Sequence, residues 1–255
     1  MNLLGRTVRM HLLATALLAI LDAASSALLR QPPYAAMVAV AVCMASEAAL
    51  YRAFKGRARV TYSSAITGLI IGSVSPIAAP LLPVAVAALV AIASKFAISV
   101  KSRNVFNPAA LGMLIGLGAF GIGDEWWAAG SLTLYGFAVP LSIMLVLVAY
   151  EARRLTAALS FIAVSIAAAV LLGGYLSAPG LLAVALSANY FFDLLMLTEP
   201  KTSPNGRRAQ VTYGAGVAAM VALLSLGGIA YTYFIALLAG NGLYALYRVR
   251  GGRLL

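Results

Sequence analysis

Ser63-Ser64-Ala65-Ile66-Thr67-Gly68-Leu69-Ile70-Ile71-Gly72-Ser73-Val74-Ser75 is the stretch on which the fold turns, and Pro108 to Gly121 is its counterpart further along the chain. Both are apolar, yet both fall short of the roughly 20 helical residues that cross a hydrocarbon core about 30 Å thick. Around them lie longer apolar runs, at Met10 to Leu29, Tyr34 to Phe54, Ile77 to Val100, Ala128 to Tyr150, Thr156 to Leu176, Gly180 to Leu197, Val211 to Leu226 and Gly228 to Tyr247. If the two short stretches also cross, the chain has about ten spans, and its basic clusters alternate without exception. Arg6 and Arg9, Arg52 to Arg59, Lys101 and Arg103, Arg153 and Arg154, Lys201 to Arg208, and Arg248 to Arg253 then share one side. The other side receives Arg30, the Ser75-Pro76 turn, Asp124 and Glu125, Ser177 to Pro179, and Gly227. Reading either short run as a surface loop would throw later clusters to the wrong side, so the charge pattern itself predicts that both cross.

Composition sets the same frame. Of 255 residues, 63% are hydrophobic and 10% charged, against about 25% charged in an ordinary soluble domain. Mean hydropathy is +0.97. Such a chain cannot clothe itself in a polar shell, so residues 1–255 are read as a single transmembrane domain in the inner (cytoplasmic) membrane, multi-pass, with both termini cytoplasmic. The net charge of +11 is scattered between apolar runs and not gathered on one face or tail, which is the positive-inside pattern and excludes nucleic acid as a partner. The first run lacks a convincing small-residue cleavage site and is read as a retained span.

The single cysteine, Cys43, excludes an internal disulfide and any CxxC-type metal site, and is read as core filler. The single histidine, His11, lies at the edge of the first run beside Arg6 and Arg9 and is read as an interfacial side chain. No metal centre is expected from this chain alone.

Two groups of five spans, roughly residues 1–122 and 128–255, must run in opposite directions if they are repeats, as in inverted-repeat transporter folds. In such folds, broken helices bring backbone ends to the midplane, where their dipoles hold an ion or cofactor. Ser63 to Gly68 and Asn107-Pro108 are the candidates; close helix packing by small residues is the competing reading. Ionisable groups within apolar runs are costly and call for explanation. Lys95 is near enough to a span end to snorkel. Glu47 either pairs with Arg52 or is functional. Asp22 and Asp193 are deeper and mark candidate ion pathways, with Glu47 beside them.

Two polar hairpins share the basic side. One is Lys101-Ser102-Arg103-Asn104-Val105-Phe106-Asn107-Pro108, with proline at a helix start, where the missing N–H costs nothing. The other is Thr198-Glu199-Pro200-Lys201-Thr202-Ser203-Pro204-Asn205-Gly206, whose prolines and capping residues make a shaped loop.

Taken in order, Glu47 to Arg57, Ser64-Ala65-Ile66-Thr67-Gly68-Leu69, Asn107-Pro108-Ala109-Ala110-Leu111-Gly112 and Thr198-Glu199-Pro200-Lys201-Thr202-Ser203-Pro204 resemble the D subunit of Rnf complexes and the B subunit of sodium-pumping Nqr. That family carries an S-A-hydrophobic-T-G-L stretch, an N-P-A-A-x-G stretch and a T-D-P-x-T-S/A loop. The colinear match covers most of the chain. The resemblance implies an all-α, ten-helix membrane subunit of inverted repeats, similar in fold to urea and ammonium channels. It also implies electron transport through flavin, within an ion-translocating complex coupled to Na⁺ or H⁺ movement. Other membrane and soluble subunits of that complex, and the lipid bilayer, are the implied partners.

Family members hold FMN covalently through the threonine of an S-G-A-T sequence between the fifth and sixth spans. Here that connection runs Gly123-Asp124-Glu125-Trp126-Trp127-Ala128-Ala129-Gly130-Ser131-Leu132-Thr133 and lacks the motif, so the expectation is noncovalent FMN or riboflavin. Trp126 and Trp127 are read as anchors in the outer interface, with stacking on a flavin ring left open. Expected cofactor-binding residues are Ser64, Thr67, Gly68, Arg103, Asn107, Pro108, Lys201, Thr202 and Ser203. Thr67 and Asn107 would hydrogen-bond the ligand; Lys201 and Arg103 would offset a phosphate or a reduced ring. A transporter or channel for a small solute or ion, using the same cavity without redox chemistry, is the alternative, and a purely structural assembly subunit is a third.

Overall fold

The computed structural model describes residues 3–100, 103–128, 138–174, 177, 179–180 and 188–251. The expected spans over Ala128 to Tyr150, Thr156 to Leu176 and Gly180 to Leu197 are therefore described only in part, and Thr133 lies outside the described residues. The fold is all-α. In chain order it comprises α1 (Leu3–Leu29), α2 (Tyr34–Lys55), α3 (Tyr62–Val74), α4 (Leu81–Ala97), a two-stranded hairpin of β1 (Ser99–Val100) and β2 (Arg103–Asn104), and α5 (Pro108–Gly116). Then follow α6 (Ala138–Glu151), α7 (Leu155–Gly173), a π segment (Phe192–Met196), α8 (Arg207–Leu226) and α9 (Thr232–Val249).

Among the described residues, four helices are long and apolar enough to cross a membrane: Gly5–Leu29, Tyr34–Lys55, Leu155–Gly173 and Arg207–Leu226. The short runs at 63–75 and 108–121 are indeed short helices, and each is packed against protein. In the first half, α2 packs against α3 and α4, α4 against α5, and α1 against α3. In the second, α7 packs against the π segment and α8, α8 against α9, and α6 against the π segment. Among the described helices, the closest packing between the halves is that of α1 with α6 and of α5 with α9.

Small residues set how closely these helices approach. A Cβ on Gly68 would stand 2.5 Å from the Val40 Cα, and one on Gly72 would overlap Ala36, so α2 and α3 touch backbone to backbone. Gly112 and Gly116 do the same for α5 against Ala87 and Ala91 of α4. Two G-x-x-x-G pairs thus draw both short helices against their neighbours, as van der Waals packing in lipid requires. Gly68, expected to bind cofactor, is engaged in this crossing.

Several buried side chains depart from expectation. Lys95 does not snorkel: its ammonium donates to Ser63 O (3.0 Å), Ser63 Oγ (3.1 Å) and Thr67 Oγ1 (2.9 Å), because the short α3 leaves its first-turn polar groups within reach of α4. Glu47 does not turn to Arg52: its carboxylate accepts from Thr61 N (2.6 Å) and Thr61 Oγ1 (3.0 Å) and so caps the start of α3. Trp126 and Trp127, expected in the outer interface, are both engaged within the fold. The buried Trp127 indole donates to Gly72 O (2.8 Å), and Trp126 packs edge-on among Phe191, Phe192 and Tyr233. Cys43 is core, as expected, fully buried in α2.

Gly72→Val should cost about 1–3 kcal/mol through overpacking, read as a lower melting temperature in detergent. Gly216→Ala, on α8 with open space around its Cα, should leave stability unchanged or raise it by up to about 1 kcal/mol.

Candidate functional site

A cavity of about 580 Å³ opens among the helix starts. Its walls come from α1 (Arg6 to Ala14), α3 (Ser63 to Ile70), the start of α5 (Asn107 to Ala109), the α6–α7 corner (Val148 to Arg154) and the 195–205 segment. Ser63 to Ile70 spans about 10 Å along α3 at 1.5 Å per residue, so the cavity reaches well into the bundle.

The lining mixes apolar, polar and basic side chains, interleaved along α1 and α3. Met10, Ala14, Ile66, Ile70, Val148 and Leu195 form an apolar part. Ser63, Thr67, His11, Thr198 and Glu199 form a polar belt, and Arg6, Arg153, Arg154 and Lys201 bring positive charge. Lys95 stands behind the belt, holding Ser63 and Thr67 from the α4 side. The starts of α3 and α5 add the positive ends of their dipoles.

The wall carrying Glu199 and Lys201 is a loop built to shape. Arg154, buried, donates through Nε to Ser203 Oγ (3.0 Å), through Nη1 to Ala152 O (3.3 Å) and Arg153 O (3.1 Å), and through Nη2 to Pro200 O and the Asn205 side chain. Burial, and then the charge of Arg103, pushes the Arg154 guanidinium down to about 10, which still leaves it charged at neutral pH. Arg103 donates to Lys201 O (3.2 Å), Ser203 O (3.0 Å) and Pro200 O. Gln210 Nε2 reaches Arg153 O (2.8 Å) and Asn205 O (3.1 Å). Within the loop, Ser203 Oγ donates to Glu199 O (2.6 Å) and Thr202 Oγ1 to Glu199 Oε2 (3.2 Å). Burial raises the Glu199 carboxyl above the usual range, opposed by the charges of Lys95 and Lys201.

Asn107 joins the two halves at this point. Its Oδ1 caps α5 through Ala110 N (3.0 Å), its Nδ2 donates to Met196 O (3.2 Å), and its own N–H reaches Asn241 Oδ1 of α9 (2.8 Å). Asn241 in turn donates to Tyr213 Oη (2.7 Å). On the opposite wall, Arg6 pairs with Glu151 (3.0 Å) and donates to Tyr150 O (2.8 Å), tying α1 to α6.

Of the residues expected from the sequence, Thr67, Asn107, Pro108 and Lys201 line the cavity. Ser64 is buried and bonded to Thr61 O; Arg103, Thr202 and Ser203 shape the loop behind the wall. His11, expected at the lipid interface, instead lines the cavity and stacks on Tyr62. Asp22, Glu47 and Asp193 lie outside the cavity lining. Asp22 accepts from Ser73 Oγ (2.7 Å) and leaves Oδ2 without a hydrogen bond among the described residues; Asp193, in the π segment, leaves Oδ1 so.

Ser63, within the candidate stretch Ser63 to Gly68, does line the cavity, whereas sequence reading passed over Arg154, Gln210, Asn241 and Glu199 as site residues. A signal existed for Asn241, an amide inside an apolar run, and for Glu199, the only carboxylate of its loop. No family model matches the chain, and no curated protein matches it in sequence.

Arg103→Ala removes donors from three loop carbonyls. It should loosen residues 198–206 by about 1–3 kcal/mol, read as faster amide exchange there, with α7 and α8 unchanged.

Proposed function

We propose that this chain is the membrane subunit of an Rnf- or Nqr-like electron-transport complex, and that it holds FMN or riboflavin noncovalently in the cavity of α1, α3, α5 and the 195–205 segment. The observation that carries this reading is the mixed lining, apolar, polar and basic side chains around one cavity. An isoalloxazine has an apolar benzenoid end, a polar pyrimidine edge and a ribityl chain that ends in phosphate or hydroxyl. The cavity offers an apolar part, a polar belt and basic side chains in the same wall set. Its volume falls within the roughly 300–1,000 Å³ of small-molecule sites. Thr67, Ser63 and Glu199 would contact the ring, and Lys201 would meet a phosphate. When bound, flavin supplies the electron-transfer chemistry; the chain supplies orientation, exclusion of water and charge.

The ten-span, inverted-repeat architecture belongs to the same proposal. If α1 to α5 correspond to α6, α7, the π segment, α8 and α9, then α2 with α4 corresponds to α7 with α8, and α4 with α5 to α8 with α9. The two helix pairs packed between the halves, α1 with α6 and α5 with α9, join corresponding elements. This pattern supports a two-fold relation between the halves, with the basic clusters and both termini on the cytoplasmic side of the inner membrane. Electrons would pass between a donor subunit on that side and an acceptor across the bilayer, coupled to Na⁺ or H⁺ movement.

A second reading is a cation or small-solute transporter without redox chemistry. Asp22 favours it, being a buried carboxylate in a candidate span with only Ser73 as its described hydrogen-bond partner.

The test is the visible absorption spectrum of the detergent-purified chain, followed by acid precipitation. Flavin absorbance that leaves with the supernatant is the expected result. Colour retained in the pellet would mean covalent attachment. Folded protein that stays colourless after incubation with riboflavin and FMN overturns the flavin reading. Substrate-dependent uptake by proteoliposomes that is lost in Asp22→Asn would then establish the second.

A further inference from the structure

The polar belt of the cavity has an acceptor and a donor system on different elements, and neither is consumed by the other. Glu199 Oε2 accepts a single hydrogen bond, from Thr202, and the side chain lines the cavity while largely buried. On α3, the Ser63 and Thr67 hydroxyls line the same cavity, and both oxygens accept from the Lys95 ammonium; Thr67 Oγ1 donates its own hydrogen to Ser63 O (2.7 Å), which leaves the Ser63 hydroxyl as the donor of the pair. No ion pair joins Lys95 to Glu199 among the described residues, where the ion pairs within 4 Å run from Arg6 and Arg9 to Glu151. A carboxylate and a lysine-backed hydroxyl pair that border one cavity without closing on each other suit a ligand presenting a donor flanked by acceptors. A neutral imide, C(=O)–N–H–C(=O), has that pattern.

We propose that Glu199 and the Lys95–Ser63–Thr67 group read the imide edge of the flavin ring, Glu199 accepting from the ring N3–H and the Ser63 hydroxyl donating to a flanking ring carbonyl. This rests on the flavin reading above and adds to it the residues that select the ring. Lys95 is a positioning residue. It holds both hydroxyls, and its positive charge behind them favours the ring more once the ring has gained an electron. The carboxylate supplies the complementary selection, because a ring that cannot donate at N3 leaves Glu199 facing a methyl group or a lone pair with no hydrogen to accept.

The experiment compares riboflavin with 3-methylriboflavin, methylated at N3, for binding to the detergent-purified chain stripped of flavin, followed by flavin fluorescence. The unaltered chain should bind the methylated compound at least about tenfold more weakly. Glu199→Ala should bind both alike, and Lys95→Met should make the midpoint potential of bound riboflavin more negative while Lys95→Arg stays close to the unaltered chain. Riboflavin bound with no discrimination against 3-methylriboflavin overturns this inference and leaves the flavin reading standing. Neither compound bound overturns both. The comparison on the unaltered chain needs no variant, so it decides the Glu199 assignment even if Glu199→Ala does not fold. A Lys95→Met protein that binds riboflavin at an unchanged potential overturns the role given to Lys95.

Discussion

A backbone carbonyl buried at the end of a helix must find a donor elsewhere, and the loop from Thr198 to Gly206 meets this constraint through two arginines. Arg103, from the β hairpin, and Arg154, from the α6–α7 corner, both donate to Pro200 O and both reach Ser203. One comes from the first half of the chain and the other from the second. Their five-donor, planar heads can satisfy several divergent oxygens at once, which an ammonium on a flexible stem cannot do with the same rigidity. The position of Glu199 and Lys201 at the cavity follows from this double grip.

Charge is distributed in the cavity by the same economy of partners. Arg154 and Arg103 are occupied with backbone oxygens, and Arg6 is shared between Glu151 and the end of α6. Lys201 remains exposed at the wall, and Lys95 is turned to hydroxyls. The site therefore combines cations that build it with cations that can act on a ligand, and the two sets are separated by what each side chain already touches. Asn107 belongs with the builders. Its amide caps α5 and reaches Met196 O, so its main role is to join α5, the π segment and α9.

The short apolar runs, the basic clusters and the two polar hairpins were legible in the sequence because each is a local property: run length against bilayer thickness, charge between runs, turn chemistry. The proline after Asn107 marked the start of α5 for the same reason, a missing N–H that only a first turn tolerates. What misled the reading was partner choice. Lys95, His11, Glu47 and Trp127 were each assigned to the nearest boundary or the nearest charge in sequence. Each instead bonds, stacks or packs across to another element, 14 residues along for Glu47 with Thr61 and 55 for Trp127 with Gly72. Sequence distance carries no information about such pairs when the intervening turn redirects the chain.

The amino-acid sequence by itself determined that this protein is helical and rich in apolar runs, where the short helices α3 and α5 lie, and that these two segments are too short to stand alone in a bilayer. Those follow from composition, periodicity and capping, which act over one or two turns. Only the tertiary structure decided that α3 and α5 lie backbone to backbone against α2 and α4, that the hairpin arginine and the corner arginine meet on one loop, and that Ser63, Thr67, Glu199 and Lys201 border a single cavity. The physical reason is that an ammonium, a guanidinium or a carboxylate in an apolar bundle takes whichever partner the packing of small residues brings within hydrogen-bond reach, and that packing is a property of pairs of helices and of no single one.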